Sequence, residues 1–205
     1  MITINLKHKF TPVFNLIFFN RYVTSFLSKI SKENSRNIRD RLYRAAILAD
    51  TLSKLGAKPV TENNSAEQQV IALLTEAYFF QLRIIYDNLF LFLPSKKEKG
   101  LPKNFSDIIK KIRGGKSIGL PKELVDKIKI HSYTFDEIRG IRNAIKDIPL
   151  NIIVKNNQFI VITHKYQPPY GSSKKLASIE KSLLNMIFDS SIAFYVMLAI
   201  IEDSK

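Results

Sequence analysis

Cysteine is absent from the 205 residues. That excludes a disulfide framework, thiolate-ligated zinc, thiol redox chemistry and a cysteine nucleophile. Histidine is scarce: His8, His131 and His164 are the three, and no two stand four apart, the spacing at which one helix face presents a zinc pair. No metal or cofactor is expected. Acid is also in short supply, with 18 Asp and Glu against 32 Lys and Arg, and Glu33 is the first acid in the chain. Long hydrophobic runs are missing. Phe10–Phe19 is broken by Asn15, and Ser191–Ile201 is bracketed by Asp189 and Glu202. Both are shorter than the ~20 residues that span a bilayer, so no integral membrane segment is expected. The first run follows Lys7 and Lys9 in the manner of a signal peptide, yet no clear small-residue cleavage site follows it. Residues 1–33 are read as an arm or first helix of a cytoplasmic protein, with a secretory signal or organelle presequence as the alternative.

What is present is a globular composition, 45% apolar, with a formal net charge of +14. A chain of this length buries most of its unfolded surface without a staple, and residues 34–205 are expected to form one helical domain. The charge is unevenly spread. Residues 1–32 carry five cations and no acid, and residues 95–130 carry eleven cations against four acids; together they hold +12 of the +14. Most are lysines, hydrated point charges suited to phosphate contact rather than to bidentate base reading. An anionic partner, RNA or another polyanion, is expected at the basic connector 95–131.

Helical periodicity dominates the rest. Ile38, Leu42, Ala45, Ala49 and Leu52 form one stripe over about Ser35–Leu55, with Gly56 placed as a left-handed C-terminal cap. Ser65 and Gln68 read as a capping box opening a helix of about 28 residues that Pro94 ends after Leu93. Phe105–Ile112 and Lys122–Ile130 each read as a short helix. Between them Gly115-Lys116-Ser117 resembles the end of a phosphate-binding loop, but Lys110 stands where the first glycine belongs and no strand precedes it. A Gly-Gly-Lys turn touching a phosphate is the reading left. Thr134 and Glu137 suggest a second capping box and a separate helix to Asp147, with Phe135, Ile138, Ile141, Ile145 and Ile148 inward and Arg139, Arg142 and Lys146 as a basic ridge. Asn151–Lys155 and Gln158–Lys165 flank Asn156-Asn157, a hairpin signal. A last helix is expected over 174–202. The fold class is thus mainly α, an elongated up-down bundle with one small β-hairpin (151–165) near the C-terminus.

The segment Phe135–Asp147, FDEIRGIRNAIKD, is an apolar helix ending in Arg-Asn. It resembles the signature helix of the HEPN superfamily, whose pattern is Arg, a polar residue, a few residues, then His. Arg142 and Asn143 match, and Asp147 stands where His belongs. The long apolar helix with Tyr86-Asp87-Asn88, the variable connector and the Arg-Asn helix resemble the family layout over about residues 35–148. The resemblance implies an all-helical, dimeric protein with Arg142, Asn143 and Asp147 at the site of a metal-independent RNase. The chemistry of that site argues for a degenerate one. A base for the 2′-hydroxyl and an acid for the leaving oxygen are both needed, and an ordinary aspartate seldom donates a proton at pH 7. His131 is the best-placed replacement. The expectation is therefore an RNA- or partner-binding protein that is not an enzyme, with Lys110, Lys111, Arg113, Lys116, Lys122, Arg139 and Lys146 holding the anion. An active RNase with an altered site, or a structural module with a basic face, is the alternative.

Overall fold

The computed structural model describes residues 32–60, 64–89, 93, 104–166 and 177–202. The N-terminal arm expected over residues 1–33 lies almost wholly outside them. The protein is mainly helical with a small antiparallel sheet near the C-terminus. Helix α1 spans Lys32–Ala57, α2 Ser65–Asp87, α3 Phe105–Arg113 and α4 Lys122–Asp147. Strands β1 (Asn151–Lys155), β2 (Gln158–Tyr166) and β3 (Ala177–Ser182) follow, and α5 (Leu183–Glu202) closes the order.

The apolar stripe of α1 packs as its spacing dictates: Ile38, Leu42, Ala45 and Leu52 are buried, while Arg39, Asp40 and Arg44 are exposed. Gly56 is not the expected left-handed cap. It lies inside α1, and the positive-φ glycines among the described residues are Gly115 and Gly119. A Cβ at Gly56 would stand 3.1 Å from the backbone nitrogen of Leu184. The glycine lets α1 touch the first turn of α5.

The capping signal before α2 shifts by one residue. Asn64 is the N-cap, its side-chain oxygen accepting from the N–H groups of Ala66 and Glu67. The helix ends at Asp87, short of the expected Leu93, because Asn88 closes it: the Asn88 side chain donates to the Ile84 carbonyl at 2.7 Å. Arg41 of α1 donates to Gln81 of α2, which sets the two as an antiparallel hairpin.

The short helix expected at 122–130 and the separate one from Thr134 are one continuous α4. No Gly or Pro separates Ile130 from Phe135, so nothing interrupts the hydrogen-bond ladder. Glu137, expected to cap, instead accepts from Lys181 of β3 at 2.6 Å. Much of the basic connector is therefore helix rather than loop; residues 94–103 lie outside the described structure.

The hairpin is as its sequence demands. Asn156 and Asn157 have φ of 53° and 57°, and Lys155 pairs with Gln158 across a two-residue turn. The sheet has a third strand where a helix was expected from residue 174. Ala177–Ser182 pairs with the free edge of β2, Ile162 opposite Glu180 and Ile160 opposite Ser182. Its pairing satisfies a row of backbone groups that β2 would otherwise expose. Ser182 then accepts from the Asn185 N–H and starts α5 one residue later.

Tyr86, Phe105, Phe135 and Phe194, one from each of α2, α3, α4 and α5, meet in two edge-to-face and two tilted contacts with ring centroids 5.3–6.4 Å apart. All four are fully buried. Each ring contributes roughly 1.5–3 kcal/mol of burial, so this cluster is the centre of the fold. Helix α5 carries a 19-residue stretch, Leu183–Ile201, of mean hydropathy 1.8, long and apolar enough by length and composition to cross a membrane. Here 44% of that stretch is buried inside the fold, against α1, α4 and the sheet.

Candidate anion-binding cluster on α2 and α4

Helix α4 places Arg142 beside α2, not in open solvent. Its guanidinium lies 5.4 Å from the centroid of the Phe80 ring, and its Nη1 donates to Asn143 Oδ1 at 3.3 Å. One turn earlier on α4, Arg139 is half-buried. Facing them from α2 is a pair absent from the expected site. Arg83 and Asp87, four residues apart, form an ion pair at 2.9 Å, and the Arg83 guanidinium covers the Phe135 ring at 4.8 Å. Burial pushes the Asp87 carboxyl up from its ordinary value, and the cations Arg83, Arg142 and Arg139 partly hold it down. Burial likewise lowers Arg83; Asp87 and Asp136 oppose that, while Arg139 and Arg142 add to it. Three guanidinium groups thus converge where Asp87 supplies the nearest counter-charge. Two of their nitrogens, Arg83 Nη1 and Arg142 Nε, are buried with no hydrogen-bond partner. Unsatisfied buried donors cost about 1–3 kcal/mol each, more when charged.

Next to Arg83 an open cleft of about 360 Å³ lies between α2 and the start of α3. Arg83, Asp87, Asn88, Asn104, Asp107 and Lys110 stand along it. Asn104 caps α3 through the Asp107 N–H, and Lys110 is 3.6 Å from Asp107.

The other expected residues separate into groups. Arg113 is engaged inside the protein: it pairs with Asp136 and donates to Ser132, both on α4. Both members of the ion pair are largely buried, so Arg113 locks α3 to α4. Lys116 is exposed, but the turn it closes is a helix cap. The N–H groups of Gly114, Gly115 and Lys116 donate to the carbonyls of Lys110, Ile112 and Lys111, with Gly115 at φ +67°. This is a Schellman motif, and its amides are not free to cradle a phosphate. Lys110, Lys122 and Lys146 are exposed and Lys111 half-buried.

Asn143 and Asp147 are exposed, and Asp147 makes no side-chain hydrogen bond or ion pair among the described residues. Five residues along a helix turn the side chain about 140° away from Arg142. His131 lies eleven residues before Arg142, about 16 Å along the same axis. His164 sits on β2, its Nδ1 3.4 Å from Ser178 Oγ. No acid–base pair surrounds Arg142, and no group of three metal-ligating side chains stands together, among the described residues. The Arg83–Asp87 pair was legible in one respect: charged residues four apart interrupt an otherwise apolar helix. That they face Arg139 and Arg142 depends on how α2 and α4 pack. Comparison with protein-family models, with curated proteins and with solved structures found no match.

Proposed function

We propose that this chain is a HEPN-like helical module that holds the phosphate backbone of RNA without cutting it. The observation that carries the reading is the convergence of Arg83, Arg139 and Arg142 around Asp87, with buried guanidinium donors unsatisfied. Arginine donors of this kind match phosphate oxygens, and the exposed lysines of α3 and α4 extend the same positive surface. His131 and Asp147 stand away from Arg142 or turn from it, and Asp87, the carboxyl beside the cluster, is held in an ion pair with Arg83. That arrangement favours binding over hydrolysis.

Binding of labelled single-stranded RNA by fluorescence anisotropy tests the reading. Arg139→Ala with Arg142→Ala should raise Kd about tenfold or more, since each removes a charge-assisted contact. Incubation of the same RNA with the protein in EDTA should leave it intact. Cleavage by the wild type that Arg142→Ala abolishes would replace this reading with the RNase. Absence of RNA binding at low salt would replace it with a module for an acidic protein.

A further inference from the structure

The cleft between the end of α2 and the start of α3 has a lining unlike the guanidinium cluster beside it. Arg83 and Lys110 bring two positive charges and Asp87 and Asp107 two negative ones, so its charged side chains balance. Each carboxylate is paired with a cation: Asp87 with Arg83 at 2.9 Å, Asp107 with Lys110 at 3.6 Å. Two carboxylates disfavour a phosphate here, and two cations already in place disfavour a metal ion. A neutral ligand that both donates and accepts hydrogen bonds suits this lining.

The hydrogen-bonding capacity left open is specific. Asp107 is occupied on both oxygens: one faces Lys110 and the other accepts from the Asn104 side chain at 2.9 Å. Asn104 in turn accepts from the Asp107 N–H, which fixes it as the cap of α3. Asp87 is different. Its Oδ1 takes Arg83, an ion pair that favours the charged carboxylate, and its Oδ2 makes no hydrogen bond or ion pair among the described residues. The next residue, Asn88, donates its side-chain Nδ2 to the Ile84 carbonyl at 2.7 Å, which leaves its Oδ1 as an acceptor. Both are half-buried at the closing turn of α2. The cleft thus offers two acceptors from consecutive residues of α2 and an exposed ammonium, Lys110, from α3.

Among the RNA bases, guanine has the complementary pattern. Its Watson–Crick edge carries two adjacent donors, N1–H and the 2-amino group, while O6 and N7 are acceptors. Adenine and cytosine set a donor beside an acceptor, a match for an amide rather than a carboxylate. Uracil has one donor between two acceptors. Arg83 adds a surface: its guanidinium is backed by the Phe135 ring at 4.8 Å, and unpaired bases stack on guanidinium planes. The volume of about 360 Å³ lies at the small end of ligand pockets, which suits a single base.

We propose that this cleft takes an unpaired guanine of the bound RNA, with Asp87 and Asn88 accepting from N1–H and the 2-amino group and Lys110 donating to O6 or N7. Such recognition rests on the RNA-holding reading and adds a base preference to it. Labelled oligouridine RNAs carrying one central guanosine, adenosine or inosine test it by fluorescence anisotropy. The full-length protein should bind the guanosine strand about tenfold or more tighter than the adenosine strand. It should bind it about fivefold or more tighter than the inosine strand, which lacks only the 2-amino group. Asp87→Asn, with its far-UV circular dichroism checked against the wild type, should bring the guanosine-to-adenosine ratio close to one. The inosine comparison uses the wild type alone, so it decides whatever Asp87→Asn does to folding. A wild type that binds all three strands alike overturns the base preference and leaves the RNA-holding reading standing. A guanosine preference that survives in a folded Asp87→Asn also overturns it. Failure of every strand to bind at low salt overturns both.

Discussion

Tyr78 lies fully buried in α2, its hydroxyl 3.1 Å from Ser190 Oγ and 2.9 Å from Ser191 Oγ of α5. Burial pushes its phenol up to about 12 from an ordinary 10, against the pull of the two serine hydrogen bonds. Burial also raises Tyr86 and Tyr195. Because the folded value is raised, the stability these neutral phenols carry is fully present below pH 10 and is lost as pH rises toward 12. Each buried phenol contributes a fall of about 1.4 kcal/mol per pH unit inside that window. Urea unfolding at pH 9, 10 and 11 should show a flat start and then a decline, shallower in Tyr78→Phe. An ultraviolet titration of the folded protein in which all eight tyrosines ionise near 10 would contradict this. At this scale part of the candidate site could be named from the chain: Arg139 and Arg142 from their helical spacing, and Asn143 through the resemblance of Arg142-Asn143 to the HEPN pattern. Arg113 could not be placed correctly, because its charge is the same whether it faces solvent or Asp136. Only packing decides that it is buried and bridging rather than free for an anion.

Elements were legible where a local signal is strong and unopposed. Asn156-Asn157 accepts positive φ, so the β1–β2 turn follows from two residues. The stripe of α1 follows from its 3.6-residue period. Signals that look alike locally were resolved by tertiary contact. Thr134 and Glu137 have capping-box spacing, yet α4 runs through them, since Phe135 and Ile138 continue a face already buried by Ile128 and Leu124. Residues 177–182 join β2 because that strand offers an open edge. Gly56 reads as a cap and serves as a contact, which gives a test. Gly56→Val places branched carbons against the Leu184 backbone, already 3.1 Å from a first Cβ, and should destabilise by about 1–3 kcal/mol through overpacking. Denaturant midpoints compared with the wild type measure this. A variant of unchanged midpoint would mean that α1 does not approach α5 this closely.

Across the whole molecule the lysine excess is a surface property with a measurable consequence. Lys110 and Lys122 project from α3 and α4, Lys116 follows the α3 cap, and Lys111 is half-buried between them. If RNA lies along this surface, each lysine that contacts a phosphate releases about 0.7 of a counterion from a single strand. Changing all four to glutamine should reduce the slope of log affinity against log salt by up to about 3. Anisotropy titrations at several salt concentrations give that slope, and an unchanged value would remove these lysines from the contact surface.

The sequence by itself determined the mainly helical class, the position of the hairpin, the absence of thiol chemistry and the concentration of positive charge. Each of these depends on composition or on residues within one or two turns of each other. Only the tertiary structure decided that Arg83 and Asp87 face Arg139 and Arg142, that Arg113 is locked to Asp136, and that a third strand replaces the start of the last helix. Those outcomes depend on which faces of distant segments meet, and burial and electrostatics act only once they have met.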